Sequence, residues 1–421
     1  MTNATAAAPV RQRPVPPPAA GLPDAAYAAV MLTLPGLWPA RAAALLGIAR
    51  SGRAVEGGRR AGREAWEIVR SGRAGDVPAV RALVREARPE VLAAHWAAAA
   101  ARVNVASSWA AYQRLGVRVD LLGEGSYPER LAHAPAAPYV LFRRGGARQL
   151  EGKTAAIVGT RRASPGGREI AHQFGAGLTA HGVRVVSGLA LGIDAAAHEG
   201  ALTVAGVAGA GGRDQPDGAA ARGAPIGVVA GGLDRAYPAR HRVLWDRVAA
   251  AGVLVSEWPL GAASEGWRFP ARNRLIVSLA DVVIVVESRQ TGGSMITADL
   301  ALERGVPVLA VPGSIRSPTS AGTNRLLGEG AAPACSVDDV LTALSLSSGG
   351  AAGVAAERTL PTGDAATVLA ALGWGPVGSD ALLARTGLDP PRLAVVLAHL
   401  ELDGWVAGGP GSWQRVRAAD G

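Results

Sequence analysis

One feature constrains the fold of this chain more than any other: short apolar runs alternate with helix-compatible segments from residue 154 onward. Because the runs are apolar at nearly every position, both faces of their sheet should lie under helices. The alternation predicts an α/β fold with an extended, Rossmann-like, doubly wound and mostly parallel sheet. The apolar runs lie at 154–158, 183–186, 226–230, 252–255, 282–286 and 306–311.

The segments on either side of this alternation predict two smaller domains. Helical periodicity with glycine at the breaks precedes it, which predicts a helical domain, and we expect it to be SAM-like or helix-hairpin-helix-like. Near the C-terminus a helical segment ends in glycine before two strand-like runs, which is typical of a small winged helix. The predicted organisation is a disordered tail at 1–24, a helical domain at 25–118, a Rossmann-like domain at 119–345 with a flexible insertion at 205–225, a linker at 346–360 and a winged-helix domain at 361–417.

Composition and missing motifs exclude several classes of protein. The single cysteine, Cys335, excludes a disulfide framework and any multi-cysteine metal site, and it favours a reducing, cytoplasmic location. No apolar stretch is long enough to cross a bilayer, so we expect no membrane partner. The serine-hydrolase motif G-x-S-x-G and the zinc motif H-E-x-x-H are absent, and no dinucleotide fingerprint follows the first strand. We therefore predict no catalytic residues, no metal and no cofactor.

The charge of the chain is unevenly distributed. The formal net charge of +9 is a weak indication of a polyanionic partner. Residues 1–120 carry 16 basic and 8 acidic side chains, whereas residues 346–421 carry 5 basic and 7 acidic ones. The predicted winged helix should therefore repel phosphates, and we expect it to contact protein instead of DNA.

Glycine, hydroxyl and arginine residues follow the predicted strands. In a doubly wound sheet the carboxyl ends of the strands meet at one ligand crevice. After the first strand, Gly159 allows an anion to approach the backbone, Thr160 adds a hydroxyl and Arg161 adds a bidentate donor. The convergence predicts a phosphate-binding groove. Its candidate residues are Gly159, Thr160, Arg161, Ser187, Gly188, Gly231, Gly232, Arg240, Phe269, Arg272, Asn273, Arg274, Gly293, Ser294 and Thr297.

Three features permit two interpretations each. Asp194 and His198 lie four residues apart, either as a catalytic pair or as an N-cap aspartate with a structural histidine, and we favour the second. Arg161 could contact a phosphate or pair with Glu287. The segment 34–39 could be a phosphate-binding hairpin or a plain turn between helices, and the plain turn is favoured because Trp38 replaces the usual second glycine.

The strand-end motifs also carry a family resemblance over about residues 120–335. They are Val158-Gly159-Thr160-Arg161, Val186-Ser187-Gly188-Leu189-Ala190 with Gly192-Ile193-Asp194, Gly232-Leu233-Asp234 with Tyr237-Pro238, Phe269-Pro270 with Arg272-Asn273-Arg274, Gly293-Ser294-Met295-Ile296-Thr297-Ala298 and Ala310-Val311-Pro312-Gly313. In order and spacing these resemble the DNA-processing protein A family (DprA, also called Smf). The resemblance implies a homodimer that binds and protects incoming single-stranded DNA without hydrolysing it. It also implies loading of the RecA recombinase in natural transformation or homologous recombination.

The sequence departs from the family pattern in three places. The insertion at 205–225 interrupts the usual approach to the third strand, Arg240 replaces a common lysine, and Trp38 occupies the glycine position of the hairpin. The alternative function is a nucleotide-processing enzyme of the lysine-decarboxylase-like, cytokinin-activating type. The Pro-Gly-Gly-x-Gly-Thr loop of that family is absent here, and Gly292-Gly293-Ser294-Met295 is the nearest substitute.

Overall fold

The structure is a computed structural model, and it describes residues 21–47, 60–84, 88–146, 150–208, 223–345, 361–373, 375–409 and 411–415. The predicted linker and residues 1–20 of the predicted tail therefore lie outside the described residues, as do residues 209–222 of the predicted insertion. Residues 205–208 of that insertion continue a helix, and Asp24, assigned to the tail, begins one. Nothing in the described part of the chain is long and apolar enough as a helix to cross a membrane.

The N-terminal part is helical, as the sequence predicts. Trp96 is fully buried at its centre, and the indole Nε1 donates a hydrogen bond to the carbonyl of Pro35 at 3.0 Å. This bond fixes the turn that contains Pro35 against the longest of these helices. The helices are α1 Asp24–Met31, α2 Pro39–Leu45, α3 Gly62–Arg70, α4 Pro78–Leu83, α5 Pro89–Ala100 and α6 Val105–Arg114.

A nine-stranded sheet forms the centre of the described structure. Its strands are β1 Val117–Leu121, β2 Val140–Gly145, β3 Thr154–Val158, β4 Arg184–Ser187, β5 Ile226–Val228, β6 Val253–Ser256, β7 Val282–Val285, β8 Val308–Ala310 and β9 Ala332–Pro333. Their order is β1-β2-β6-β5-β4-β3-β7-β8-β9. β2 is antiparallel to both of its neighbours, β1 and β6, and every other neighbouring pair is parallel. Every residue of β3 to β8 is buried, which is why these strands read as continuous apolar runs.

Helices cover both faces of this sheet. They are α7 Glu129–Ala132, α8 Pro165–Ala180, α9 Ile193–Ala208, α10 Arg242–Ala251, α11 Arg268–Leu279, α12 Gly293–Glu303, α13 Ala321–Gly328 and α14 Val337–Ala343. One apolar cluster joins one face of the sheet to the N-terminal helices, and a second packs α8 and α14 against the opposite face. The doubly wound, mostly parallel architecture predicted from the sequence is confirmed.

The sequence analysis missed the strands β1, β2 and β9. In the first pair, Arg143 on β2 and Asp120 on β1 are both buried and form an ion pair at 2.6 Å. The two charged residues interrupt the apolar pattern by which a buried strand is recognised in a sequence. In the folded protein the ion pair compensates for the burial of both charges. β1 also begins at Val117, two residues before the predicted start of the Rossmann-like domain at 119.

The C-terminal part has the elements of a winged helix. They are α15 Asp364–Leu372, α16 Ser379–Thr386, α17 Pro390–Leu402, β10 Val406–Gly409 and β11 Ser412–Arg415, with the two strands antiparallel. Trp405 is buried among the helices, and Trp413 forms a bridge to Val377 between the first two of them. Both tryptophans therefore pack the domain itself, and the predicted winged helix is confirmed.

Candidate functional site

A groove with a volume of about 520 Å³ lies at the carboxyl ends of β3 and β7. The N-terminal ends of α11 and α12 form its other walls, as expected for the ligand crevice of a doubly wound sheet. Most of the predicted site residues meet here: Gly159, Thr160, Arg161, Phe269, Arg272, Asn273, Gly293, Ser294 and Thr297.

The loop after β3 has a shape that only glycine permits at its first position. A Cβ on Gly159 would lie 2.5 Å from the Ile193 side chain and 2.9 Å from the Glu287 carbonyl oxygen. The next residue, Thr160, donates its N–H to that same carbonyl at 2.7 Å. The loop is therefore held tightly to the end of β7, which fixes where Arg161 leaves the backbone.

Arg161 is exposed at the groove. Its guanidinium carbon lies 4.8 Å from the centre of the Phe269 ring, within the range of a cation–π contact. No carboxylate of the described residues comes within 4.0 Å of the Arg161 guanidinium. No hydrogen bond from this guanidinium to another described residue is present either, so its N–H groups can bind an anion.

Glu287 has other partners than Arg161. Its carboxylate accepts hydrogen bonds from the N–H of Ser164 at 2.9 Å and from the Ser164 hydroxyl at 2.6 Å. That hydroxyl also caps α8 by accepting the N–H of Gly167 at 2.9 Å. The alternative pairing of Arg161 with Glu287 is therefore not what the structure contains.

Arg272 reaches the groove only as part of its floor. The residue is 4% exposed, and its guanidinium donates to the carbonyl oxygens of Gly188, at 2.9 Å, and of Val228. Burial lowers the pKa of Arg272 to about 10, and the nearby Asp194 carboxylate opposes that shift. The DNA contact predicted for Arg272 stays a prediction. In the structure its guanidinium donates hydrogen bonds to the protein and braces the loops that carry Gly188 and Val228.

Asp194 completes this buried brace. Its carboxylate accepts the N–H groups of Gly188 at 3.1 Å and of Ala190 at 3.4 Å. Burial raises the pKa of Asp194, while the Arg272 guanidinium lowers it. Asp194 is the second residue of α9, so the prediction that it is the N-cap is wrong, although its structural role agrees with the interpretation we favoured.

His198 takes no part in the groove. It is fully buried, and burial lowers its pKa to about 4. A histidine in this position cannot exchange protons with a bound ligand, because it is not among the groove-lining residues. The catalytic interpretation of the Asp194–His198 pair therefore has no geometric support.

The remaining predicted residues lie outside the groove lining. Ser187 is buried and donates to the Ile157 carbonyl at 2.6 Å, which ties β4 to β3. Arg274 donates to Glu257 and to the Ala136 carbonyl, and Arg240 is exposed on the short turn before α10. A position after a strand correctly predicted that these residues lie at the carboxyl edge of the sheet. It did not predict which side chains point into the groove. The predicted residues that the structure does not bring into the groove are Ser187, Gly188, Gly231, Gly232, Arg240 and Arg274.

The start of α12 adds the electrostatics of a helix terminus. The N-cap is Gly292, and Gly293 and Ser294 form the first turn along the groove. First-turn N–H groups have no intrahelical acceptor, and the helix dipole places partial positive charge there. The Ser294 hydroxyl donates to the Ser288 hydroxyl at 2.8 Å, which holds this turn in place.

Sequence reasoning missed Arg289 as a site residue. It is exposed, follows β7 and lines the same groove as Arg161. Its position four residues after a parallel strand was the available signal. Tyr237, which is also exposed, lies with its ring centre 5.2 Å from that of Phe269, so the groove has two neighbouring aromatic faces.

The residues of the groove are suited to an anion that also carries planar aromatic rings. Two exposed arginines, a helix N-terminus and the hydroxyl of Thr160 can bind phosphates, and the aromatic pair can stack on bases. Asp194 is the acidic residue among those lining it, and its carboxylate is already bound by backbone N–H groups. A search of the described residues finds no His, Cys, Asp and Glu cluster able to hold a metal.

Comparison with known proteins agrees with this geometry. The family model of DNA recombination-mediator protein A matches residues 118–345, and that of the DprA winged helix domain matches residues 351–412. Protein Smf of Escherichia coli is 34% identical over 306 residues, covering 70% of this chain and 76% of that protein. DNA processing protein DprA of Bacillus subtilis is 35% identical over 236 residues, covering 56% of this chain and 74% of that protein.

A solved structure shows the same architecture. The X-ray structure of DprA from Streptococcus pneumoniae superposes with a TM-score of 0.56 at 28% identity, covering 75% of this chain and 97% of that one. The match to the family model begins at residue 118, within β1, extends past β9 and therefore includes the groove. The resemblance identified from the strand-end motifs is confirmed, and the chain belongs to the DNA recombination-mediator protein A family.

Proposed function

We propose that this protein binds single-stranded DNA in the groove between the β3 loop and the N-terminus of α12. The observation that carries the proposal is Arg161, an exposed guanidinium 4.8 Å from the centre of the Phe269 ring, with no carboxylate partner within ion-pair distance in the described structure. An exposed arginine beside an aromatic ring can bind a phosphate next to a base that stacks on the ring.

The proposed preference for single strands follows from the two kinds of contact. Backbone N–H groups and arginines bind phosphates of any nucleic acid, whereas Tyr237 and Phe269 can stack only on bases that are not already paired and stacked in a duplex. Phosphate and stacking contacts carry little sequence information, so base preference should be small. Membership of a DNA-processing family supports DNA as the ligand.

We further propose that the protein protects and delivers DNA without chemical change to it. Asp194, the acidic residue among the described groove-lining residues, has its carboxylate bound by the N–H groups of Gly188 and Ala190. The family resemblance supports action in the cytoplasm as a homodimer that loads RecA in transformation or recombination. The winged helix, with more acidic than basic residues, is proposed to contact protein partners.

Fluorescence anisotropy with a labelled oligonucleotide tests the proposal. We expect tighter binding of a single strand than of its duplex, similar affinities for different sequences, and an affinity that falls steeply with salt through counterion release. Equal affinity for duplex and single strand at physiological salt would contradict the proposed groove.

The same assay distinguishes the alternative function. An excess of unlabelled mononucleotide should compete poorly if a strand spans several subsites. Strong competition by a mononucleotide, together with its chemical conversion, would favour a nucleotide-processing enzyme instead.

A further inference from the structure

Two tryptophans from different parts of the chain meet at the surface. Trp38 precedes α2 in the N-terminal part, and Trp267 precedes α11 beside the central sheet. Their ring centres are 5.7 Å apart with an angle of 39° between the planes. Even so, Trp38 is 54% exposed and Trp267 is 47% exposed. A contact that served only to join two domains would be expected to cover such large rings.

The Trp267 side of this pair is rigidly supported. The Trp258 ring meets Trp267 edge to face at 5.4 Å, and the guanidinium of Arg268 lies 3.8 Å from the centre of Trp258 and 5.3 Å from that of Trp267. The indole Nε1 of Trp267 donates to Glu265 at 2.7 Å. The ring is thus held in one orientation before any ligand arrives, which lowers the entropic cost of stacking on it.

The Trp38 side is fixed by its turn. The Arg41 guanidinium lies 5.7 Å from the Trp38 ring centre and donates to the carbonyl of Gly36 at 2.7 Å. The same turn is anchored from below by the bond between Trp96 and Pro35. Trp38 therefore stands on a braced turn with a cation beside it, at the position where the hairpin lacks a glycine.

The tryptophan pair continues the proposed DNA groove. Gly266 and Phe269 line the groove, and Trp267 lies between them in the chain. The aromatic faces therefore extend from Tyr237 and Phe269 inside the groove to Trp267 and Trp38 outside it. Arg41 supplies positive charge along this extension, whereas Arg268 is buried and its charge is balanced by Glu265 at 2.9 Å.

We propose that Trp38 and Trp267 form a second stacking platform, on which unpaired bases of the strand leaving the groove are held. The inference rests on the proposed function, since it needs a single strand in the groove. Aromatic faces with neighbouring arginines are the chemistry that binds single-stranded nucleic acid without reading its sequence. The platform would make the N-terminal helical part a direct contributor to the DNA path.

Binding of a short and a long oligonucleotide tests the platform. The short strand, of about 6 nucleotides, occupies the groove alone, and the long one, of about 20 nucleotides, reaches the platform. Alanine substitution of a stacking aromatic costs about 1–3 kcal/mol per base, so Trp38→Ala and Trp267→Ala should each weaken binding of the long strand about 5-fold or more. Neither should change binding of the short strand, and Trp38→Phe should restore most of the loss.

Photocrosslinking of the unaltered full-length chain gives an independent measurement. A long strand with 5-iodouracil at successive positions should crosslink to Trp38 or Trp267 from positions beyond those that crosslink to groove residues. Crosslinks confined to the groove would overturn the platform, as would equal losses of short-strand and long-strand affinity in both variants.

Failure of the platform is distinguishable from failure of the groove. If both tryptophan variants bind the long strand normally while Arg161→Ala binds either strand weakly, the platform is wrong and the groove stands. If the unaltered chain binds neither strand, both the proposed function and the proposed platform are wrong.

Discussion

The replacement Arg161→Ala tests the groove most directly. The side chain leaves a loop whose path is fixed by Gly159 and by the bond from Thr160 to the end of β7 at 2.7 Å. Its guanidinium lies 4.8 Å from the centre of the Phe269 ring and makes no hydrogen bond to the described residues, so the substitution removes a charge without removing a hydrogen bond that holds the loop. The backbone of the groove should therefore keep its shape.

The expected loss of affinity follows from the contact that a phosphate would make. A hydrogen bond to a charged group is worth about 1.5–3 kcal/mol, so Arg161→Ala should weaken single-strand binding about 10-fold to 100-fold. Loss of one phosphate contact should also reduce the slope of log affinity against log salt by about 0.7 for a single strand. Arg161→Lys keeps the charge but not the planar fork, and we expect an intermediate loss.

The expected loss of stability is much smaller. An exposed cation–π contact contributes about 0.5–1 kcal/mol, which for a domain of this size lowers the melting temperature by less than about 4 °C. This separates a ligand contact from a structural ion pair. If Arg161 served only to order its loop, affinity would fall together with a larger loss of thermal stability.

Anisotropy titrations at several salt concentrations, with thermal melts of the same preparations, measure both effects. Arg118→Ala is the matched control, because Arg118 is an exposed arginine on β1 that lines a separate cavity. It removes the same charge and should leave affinity close to that of the unaltered chain. An Arg161→Ala variant with unchanged affinity and unchanged salt slope would place the DNA elsewhere on the molecule.

Three further predictions concern other parts of the molecule. Truncation after Gly350 removes the winged helix and should change single-strand affinity less than about 3-fold, well below the loss from one groove arginine. Gly188→Ala would place a Cβ within 2.4 Å of the buried Arg272 guanidinium, so it should destabilise the protein by about 1–3 kcal/mol of overpacking, measured by denaturant unfolding. The pKa of His198 is lowered to about 4 from its usual 6.5, so between these pH values the histidine is protonated in the unfolded chain but neutral in the folded one. Stability should therefore fall as the pH drops from about 6.5 towards 4, and His198→Asn should flatten that dependence in unfolding titrations.

The central sheet could be predicted because its strands are buried on both faces. A run such as residues 282–286 is apolar at every position, and the structure places β7 there with every residue buried. The first two strands could not be found in this way. Arg143 and Asp120 form an ion pair inside the sheet. Such a pairing depends on the tertiary structure and leaves no signal in the local sequence pattern.

The candidate site was predictable as a location but less so as a set of contacts. Position at a strand end placed Gly159, Thr160 and Arg161 correctly, because all parallel strands present their carboxyl ends to one edge. Whether a side chain at that edge points to solvent or into the protein depends on what packs above it. Sequence alone does not decide that, which is why Arg289 was missed and Arg274 was assigned to the groove.

The two arginines of the α11 start show how a charge count can mislead. Arg272 and Arg274 are two residues apart and look like one basic cluster, yet the first is buried under the β4 loop and the second pairs with Glu257. Neither offers a net positive edge to a ligand. Arg272 and Arg274 hold the loops at fixed positions. Arg161 and Arg289, in contrast, are exposed and line the groove. The positive potential of the groove therefore comes from a few exposed guanidinium groups. Replacing one of them should lower DNA affinity more than the net charge of +9 suggests.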